Sequence, residues 1–160
     1  MSEQALDFSL PNVGPGPDPL SLSALSADND FVVLLLQRDE YCTNCRKQVR
    51  AVADRYDEFR ECGAEVVSIL PEPREAAANW QRRYDLPYPL CADPDADVGD
   101  AYDQPVRFGF LGKWSDFLGR MPVATLVDVR DDPAVVWSHR GSSTFDRPDI
   151  DEILDEIDAQ

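Results

Sequence analysis

Apolar positions along the chain fall into three kinds of block: unbroken runs, helical repeats and short alternations. The unbroken run Phe31-Val32-Val33-Leu34-Leu35-Leu36 has strand length and the composition of a strand covered on both faces. Glu65 to Leu70, with Val-Val-Ser-Ile-Leu at its centre, predicts a second such strand, broken by Pro71 and Pro73. Met121 to Val129 and Ala134 to His139 predict two more, turned back on each other at Asp131-Asp132-Pro133. Val49, Val52, Ala53, Tyr56 and Phe59 follow helical spacing, so a helix is predicted from near Lys47 to about Arg60, ended by Gly63. Arg74 to Tyr84 predicts a second helix, with Trp80 and Tyr84 four apart on one face. Asp93-Pro94-Asp95 caps a short helix through Tyr102, and Ile150, Ile153, Leu154 and Ile157 mark a last helix over 148–158. At the N-terminal end, Leu6 to Leu10 alternates as a short strand, Pro11 to Pro19 is a loop, and Leu20 to Leu25 is irregular. The stretch 104–119, with Phe108, Phe110, Leu111, Trp114, Phe117 and Leu118 among three glycines, is the least legible. Core filling is its default reading; a substrate lid and a homodimer patch are the alternatives.

The order is therefore strand, helix, strand, helix, strand, strand, helix. Right-handed crossovers make the first two main strands parallel, and the hairpin adds an antiparallel pair. The expected architecture is α/β: a central mixed sheet with helices on both faces, in one domain over residues 1–160. No apolar run approaches the roughly 20 residues of a membrane span.

Between the first main strand and the first main helix stands Tyr41-Cys42-Thr43-Asn44-Cys45-Arg46. A helix N-terminus presents unpaired N–H groups and positive dipole, which favour a thiolate over a thiol. A second sulfur three residues on can close a disulfide, so the pair points to redox chemistry at Cys42 and Cys45. Inert packing and half of a zinc site are the competing readings. Zinc needs a second ligand pair, and Cys62, Cys91 and His139 are scattered without pair spacing.

Composition narrows the partners. The net charge is −16, with 22 aspartates against nine glutamates and only two lysines, Lys47 and Lys113, against 13 arginines. Such a surface repels itself until salt screens it, which reads as adaptation to a high-salt cytoplasm of halophilic archaeal character. Nucleic acid and anionic membranes are poor partners for it. Met1-Ser2-Glu3-Gln4 lacks the basic segment of a secretory signal, so a cytoplasmic location is expected. In that compartment four cysteines argue for redox or metal chemistry over a structural disulfide framework.

The element order with Cys-x-x-Cys opening the first helix resembles the thioredoxin fold. Gln37 to Cys45 and Tyr88-Pro89-Leu90-Cys91-Ala92-Asp93-Pro94-Asp95 resemble segments of the redoxin, peroxiredoxin-like (AhpC/TSA-type) family. Met121 to Asp128 looks like the strand that carries the cis-proline of the fold, which puts Pro122 in that position. The likeness covers about residues 5 to 158. It implies a thiol–disulfide oxidoreductase in which Cys42 attacks and Cys45 resolves, with Tyr41 as a shielding aromatic and Thr43, Pro122 and Arg120 shaping the site. It also implies no cofactor, and as partners a thioredoxin or thioredoxin-reductase-type reductant, or a protein disulfide substrate. Two departures weigh against peroxidase activity. If Cys45 takes the place of the peroxide-attacking cysteine, Cys42 stands where the family carries threonine, and Pro122 stands where it carries arginine. Those two groups would stabilise the charge developing on a peroxide. Dithiol exchange therefore ranks ahead of a thiol peroxidase, in which Cys45 would attack and Cys42 condense with the sulfenic acid. A non-catalytic redoxin-like binding module is the third reading.

The remaining candidates read as structural. Cys62 ends a helix, Cys91 fills a core position and His139 ends a strand. Arg46 adds positive charge beside the pair, and Arg120 and Arg140 read as solvated arginines near it.

Overall fold

The computed structural model of the protein describes residues 6–104, 120–143 and 145–160. The predicted main strands are all present. β3 (Phe31–Leu36), β4 (Ala64–Leu70), β5 (Leu90–Ala92), β6 (Val123–Asp128) and β7 (Ala134–Arg140) form one sheet in the order β5-β4-β3-β6-β7. β3 pairs parallel with β4, with Val33 opposite Val66, and antiparallel with β6, where Val33 faces Leu126. β4–β5 is parallel and β6–β7 antiparallel, so the sheet is mixed as expected.

The unbroken apolar run of β3 is explained by its central place: all six residues are buried. Phe31, Val33 and Leu35 face one core, shared with helices α2 (Thr43–Asp54), α3 (Tyr56–Glu61), α4 (Arg74–Tyr84) and α6 (Ile150–Asp158). Val32, Leu34 and Leu36 face the other, shared with β1 (Ser9–Leu10), β2 (Leu20–Ser21), α1 (Leu22–Ser26) and α5 (Asp97–Ala101). Helices thus cover both faces, and each buried valine or leucine contributes roughly 1.5–3 kcal/mol.

Three local expectations are corrected. Residues 6–10 do not make a full strand; only Ser9 and Leu10 pair, antiparallel to Leu20–Ser21, in a separate two-stranded sheet. The segment 20–25 is regular, because Ser21 accepts the Ala24 N–H at 3.1 Å and starts α1. The predicted helix over 47–60 starts earlier, at Thr43, and is broken at Arg55 (φ −121°, ψ 18°). The break sends Phe59 into the core and lets the Tyr56 hydroxyl donate to Glu65 Oε1 at 2.7 Å.

Gly63 ends α3 as expected, at φ +75°, with a Cβ there falling 2.9 Å from Asp30 Oδ2. α5 starts later than expected, with Ala96 at its N-cap, and Asp93 serves its first N–H groups from three residues farther back, accepting from Val98 N at 2.9 Å and Asp97 N at 3.1 Å. The aromatic stretch from Phe108 to Leu118, and with it the choice among core, lid and homodimer patch, lies outside the described residues.

Candidate active site

The site forms where β3 gives way to α2. The connecting loop is braced at the Glu40 carbonyl, which accepts Arg46 Nη2 at 2.7 Å, Arg46 Nε at 3.2 Å and the Trp80 indole N–H at 3.2 Å. Cys42 then takes extended backbone angles (φ −68°, ψ 109°) and acts as N-cap: its sulfur accepts the Cys45 N–H at 3.2 Å. Cys45 lies in the first turn, on the stripe that continues through Val49 and Val52 into the core. From the sheet side, the buried Tyr88 hydroxyl donates to the Val49 carbonyl at 2.8 Å and holds α2 in place. The two cysteines form a disulfide, with Cα atoms 5.2 Å apart. Cys42 is 5% exposed and Cys45 fully buried.

Both sulfurs accept N–H donors. Cys45 Sγ accepts from Arg147 Nη2 at 3.0 Å and from the Arg38 backbone N–H at 3.4 Å. Cys42 Sγ accepts from Arg147 Nη2 at 3.5 Å besides the Cys45 N–H. The other end of the Arg147 guanidinium is held by Gln48 Oε1 at 2.8 Å and Gln37 Oε1 at 3.3 Å. Gln37 Nε2 also donates to Gln48 Oε1 at 3.3 Å, which fixes both amides. Burial, with the Arg38 guanidinium nearby, lowers Arg147 from the usual arginine range to about 10. It therefore stays protonated at neutral pH, a partly desolvated cation on two sulfurs. A disulfide sulfur is a weak acceptor, whereas a thiolate is a strong one, so these donors favour the charged reduced form. A cleft of about 540 Å³ lies between α2 and the start of α6; Asn44, Gln48 and Arg147 are part of its wall, and neither cysteine lines it.

The structure brings together Cys42 and Cys45 but relocates their expected supports. Tyr41 does not shield the thiols: its ring is 71% exposed, because its N–H donates to Asp39 Oδ1 at 2.8 Å and turns the side chain outward. Its phenol is raised above the ordinary tyrosine range by its hydrogen bond to Glu40. Thr43 opens α2 on its exposed side. Arg120 does not point at the sulfurs; its guanidinium pairs with Asp100 at 3.9 Å, while its carbonyl accepts Arg38 Nε at 2.8 Å. Arg140 pairs with Asp103 at 3.6 Å. Arg46 spends its donors on the Glu40 carbonyl.

Pro122 corrects the cis expectation. The cis peptide bond among the described residues is Asp18–Pro19, and Met121–Pro122 is not cis. Pro122 precedes β6, and its carbonyl accepts the Gly141 N–H at 2.8 Å, which extends the β6–β7 ladder by one rung. That is the ordinary place of a proline at a strand start.

The other two cysteines are placed as packing residues. Cys91 is fully buried and its thiol is pushed up to about 12 by that burial, with Asp18 and Asp93 adding to it. Cys62 sits against Asp158, 3.7 Å from Oδ1, and burial raises it as well. Neither has the lowered pKa of a reactive thiol.

Sequence reasoning missed Arg147, Arg38, Gln37 and Gln48 as site residues. One signal for Arg147 was available. It stands two residues before Asp149, the N-cap of α6, where the helix dipole favours acidic side chains. A cation there has to be held by something else.

Comparison with known proteins agrees with this geometry. The family model described as AhpC/TSA family matches residues 1–109. The chain is 33% identical over 73 residues to the thiol-disulfide oxidoreductase ResA of Bacillus subtilis, covering 44% of this chain and 41% of that protein. It is 32% identical over 104 residues to chloroplastic peroxiredoxin Q of Sedum lineare, covering 65% of this chain and 50% of that protein. The chain thus spans about half the length of the curated relatives it matches. Among solved structures it is similar to the peroxidoxin BcpB of Mycobacterium tuberculosis, with TM-score 0.77 and 26% identity, covering 96% of this chain and 92% of that one. Peroxiredoxin Q of Xanthomonas campestris superposes with TM-score 0.79 at 17% identity, over 100% of this chain and 95% of that one, which shows the thioredoxin-like fold.

Proposed function

The chain belongs to the AhpC/TSA family, and from that premise we propose that it is a thiol–disulfide oxidoreductase cycling Cys42 and Cys45 between dithiol and disulfide. The observation that carries this reading is the paired sulfurs themselves, bonded to each other at a helix start with Arg147 donating to both. In the reductive direction the Cys42 thiolate attacks one sulfur of a partner disulfide. A mixed disulfide forms, and the released partner thiolate takes up a proton. Cys45 then loses its proton and attacks Cys42 Sγ, closing the intramolecular disulfide and expelling the second partner thiolate, which is protonated in turn. The partner gains two electrons and two protons, and the dithiol loses them. Greater exposure supports Cys42 as the attacker. A thioredoxin-type reductant or a protein disulfide is the corresponding partner.

The test is a pair of serine variants. Cys45→Ser accumulates a mixed disulfide on Cys42 and loses turnover; Cys42→Ser loses both. Full turnover in Cys45→Ser would contradict the scheme.

One observation favours a second reading, a thiol peroxidase. Arg147 lies closer to Cys45 than to Cys42, at 3.0 against 3.5 Å, and so supports a thiolate at the position that would attack peroxide. Peroxide-dependent turnover retained in Cys42→Ser with an added thiol, but lost in Cys45→Ser, would select it. The acidic, lysine-poor composition supports a further part of the proposal, that the protein works in a high-salt cytoplasm.

A further inference from the structure

The only histidine of the chain stands at the end of β7, outside the sulfur site, yet it is tied to it through one carboxylate. His139 Nε2 lies 2.8 Å from Asp146 Oδ1. The other oxygen of Asp146 accepts the Ser142 N–H at 2.8 Å and the Ser142 hydroxyl at 3.0 Å. Gly141 allows the closure: a Cβ there would fall 2.7 Å from the Asp146 carbonyl and 2.8 Å from Pro122 Cγ. Asp146 is thereby fastened to β7 and to the turn that follows it. The next residue is Arg147, whose guanidinium crosses to both sulfurs.

A long side chain loses rotamer entropy when its guanidinium is held in one place, and that loss is smaller if its backbone is already fixed. The Asp146 anchor supplies that fixation one residue from the arginine. We propose that His139 and Asp146 are positioning residues for the dithiol, fastening the turn after β7 so that Arg147 stays on Cys42 and Cys45 and stabilises the thiolate formed on reduction. The inference rests on the dithiol-exchange reading. It also gives the lone histidine a role that is neither general base nor metal ligand: it holds the carboxylate that holds the arginine's backbone.

The test measures the thiolate fraction of the reduced protein from its absorbance at 240 nm across pH, with circular dichroism as the control for folding. Arg147→Gln lowers the thiolate fraction at pH 7 by about tenfold, the scale of one charge-assisted hydrogen bond to sulfur. Asp146→Ala lowers it by about three- to tenfold, and adding it to Arg147→Gln lowers it no further, because the anchor then has nothing to position. His139→Gln, which keeps a side-chain N–H for Asp146, stays near wild type, whereas His139→Ala follows Asp146→Ala. If Asp146→Ala does not fold, Asp146→Ser replaces it, with a side chain too short to span His139 and Ser142. An unchanged thiolate fraction in folded Asp146 variants, or losses that add in the double variant, overturns the proposal. Mass mapping of the wild-type disulfide is run in parallel. A pair that never oxidises contradicts the exchange reading, and it leaves the thiolate comparison to decide the positioning role.

Discussion

At the scale of single residues, the account turns on how two sulfurs are surrounded by donors. Arg147→Lys keeps the charge but loses the planar fork that reaches Gln48, Gln37 and both sulfurs. It is expected to slow disulfide exchange by about three- to tenfold, and Arg147→Gln by about tenfold or more, in a steady-state assay with a disulfide substrate. Asp146 gives a pH signature. Its carboxyl is held below the ordinary aspartate range by the Ser142 N–H first, then by His139 and the Ser142 hydroxyl. A depressed carboxylate adds stability that is present above the unfolded pKa, about 4, and is lost as pH falls through the folded value. The difference in unfolding free energy between wild type and Asp146→Asn should therefore shrink as pH falls below about 5. A difference that grows below about pH 5 would contradict the assignment. The cysteine pair was legible in the sequence because its spacing and its place after an apolar strand are local. Arg147 was not, because it meets Cys45 across 102 residues of chain, a contact that only the fold creates.

At the scale of elements, the early start of α2 matters most. Helical spacing of apolar residues located the body of the helix but not its first turn, because Thr43, Asn44 and Arg46 are polar or charged. The first turn is set by the Cys42 cap, so the chemistry and the helix start are one feature. The same limit explains the break at Arg55, which no glycine or proline announces. By contrast, Gly63 was legible because a left-handed turn beside Asp30 leaves little room for another residue. Gly63→Ala is expected to cost about 1–3 kcal/mol in a urea titration, from the positive φ together with the close approach to Asp30. A loss under 0.5 kcal/mol would show that the turn relaxes. Pro122 and Tyr41 show how a family likeness overreaches: each stands at the matching position of the chain, but the backbone around it serves the β6–β7 ladder in one case and exposes the ring in the other.

At the scale of the whole molecule, the sheet order and its two cores followed from the apolar runs, because a strand buried on both faces can only sit near the middle of a covered sheet. The charge of −16 affects stability more than fold. Raising potassium chloride from 0.1 M to the molar range shortens the screening length from about 10 Å to about 3 Å and should raise the thermal midpoint by several degrees. A midpoint indifferent to salt would contradict the high-salt reading. Among the described residues no helix is long and apolar enough to cross a membrane. The central claim is that this frame exists to hold one redox pair, and mass mapping of all four cysteines after poising the protein in graded thiol–disulfide buffers tests it most directly. The account predicts that Cys42 and Cys45 pass together from dithiol to a mutual disulfide in a single two-electron step, while Cys62 and Cys91 remain thiols throughout. A Cys42–Cys45 pair that stays reduced at every potential, or a disulfide through Cys62 or Cys91 in its place, would contradict it.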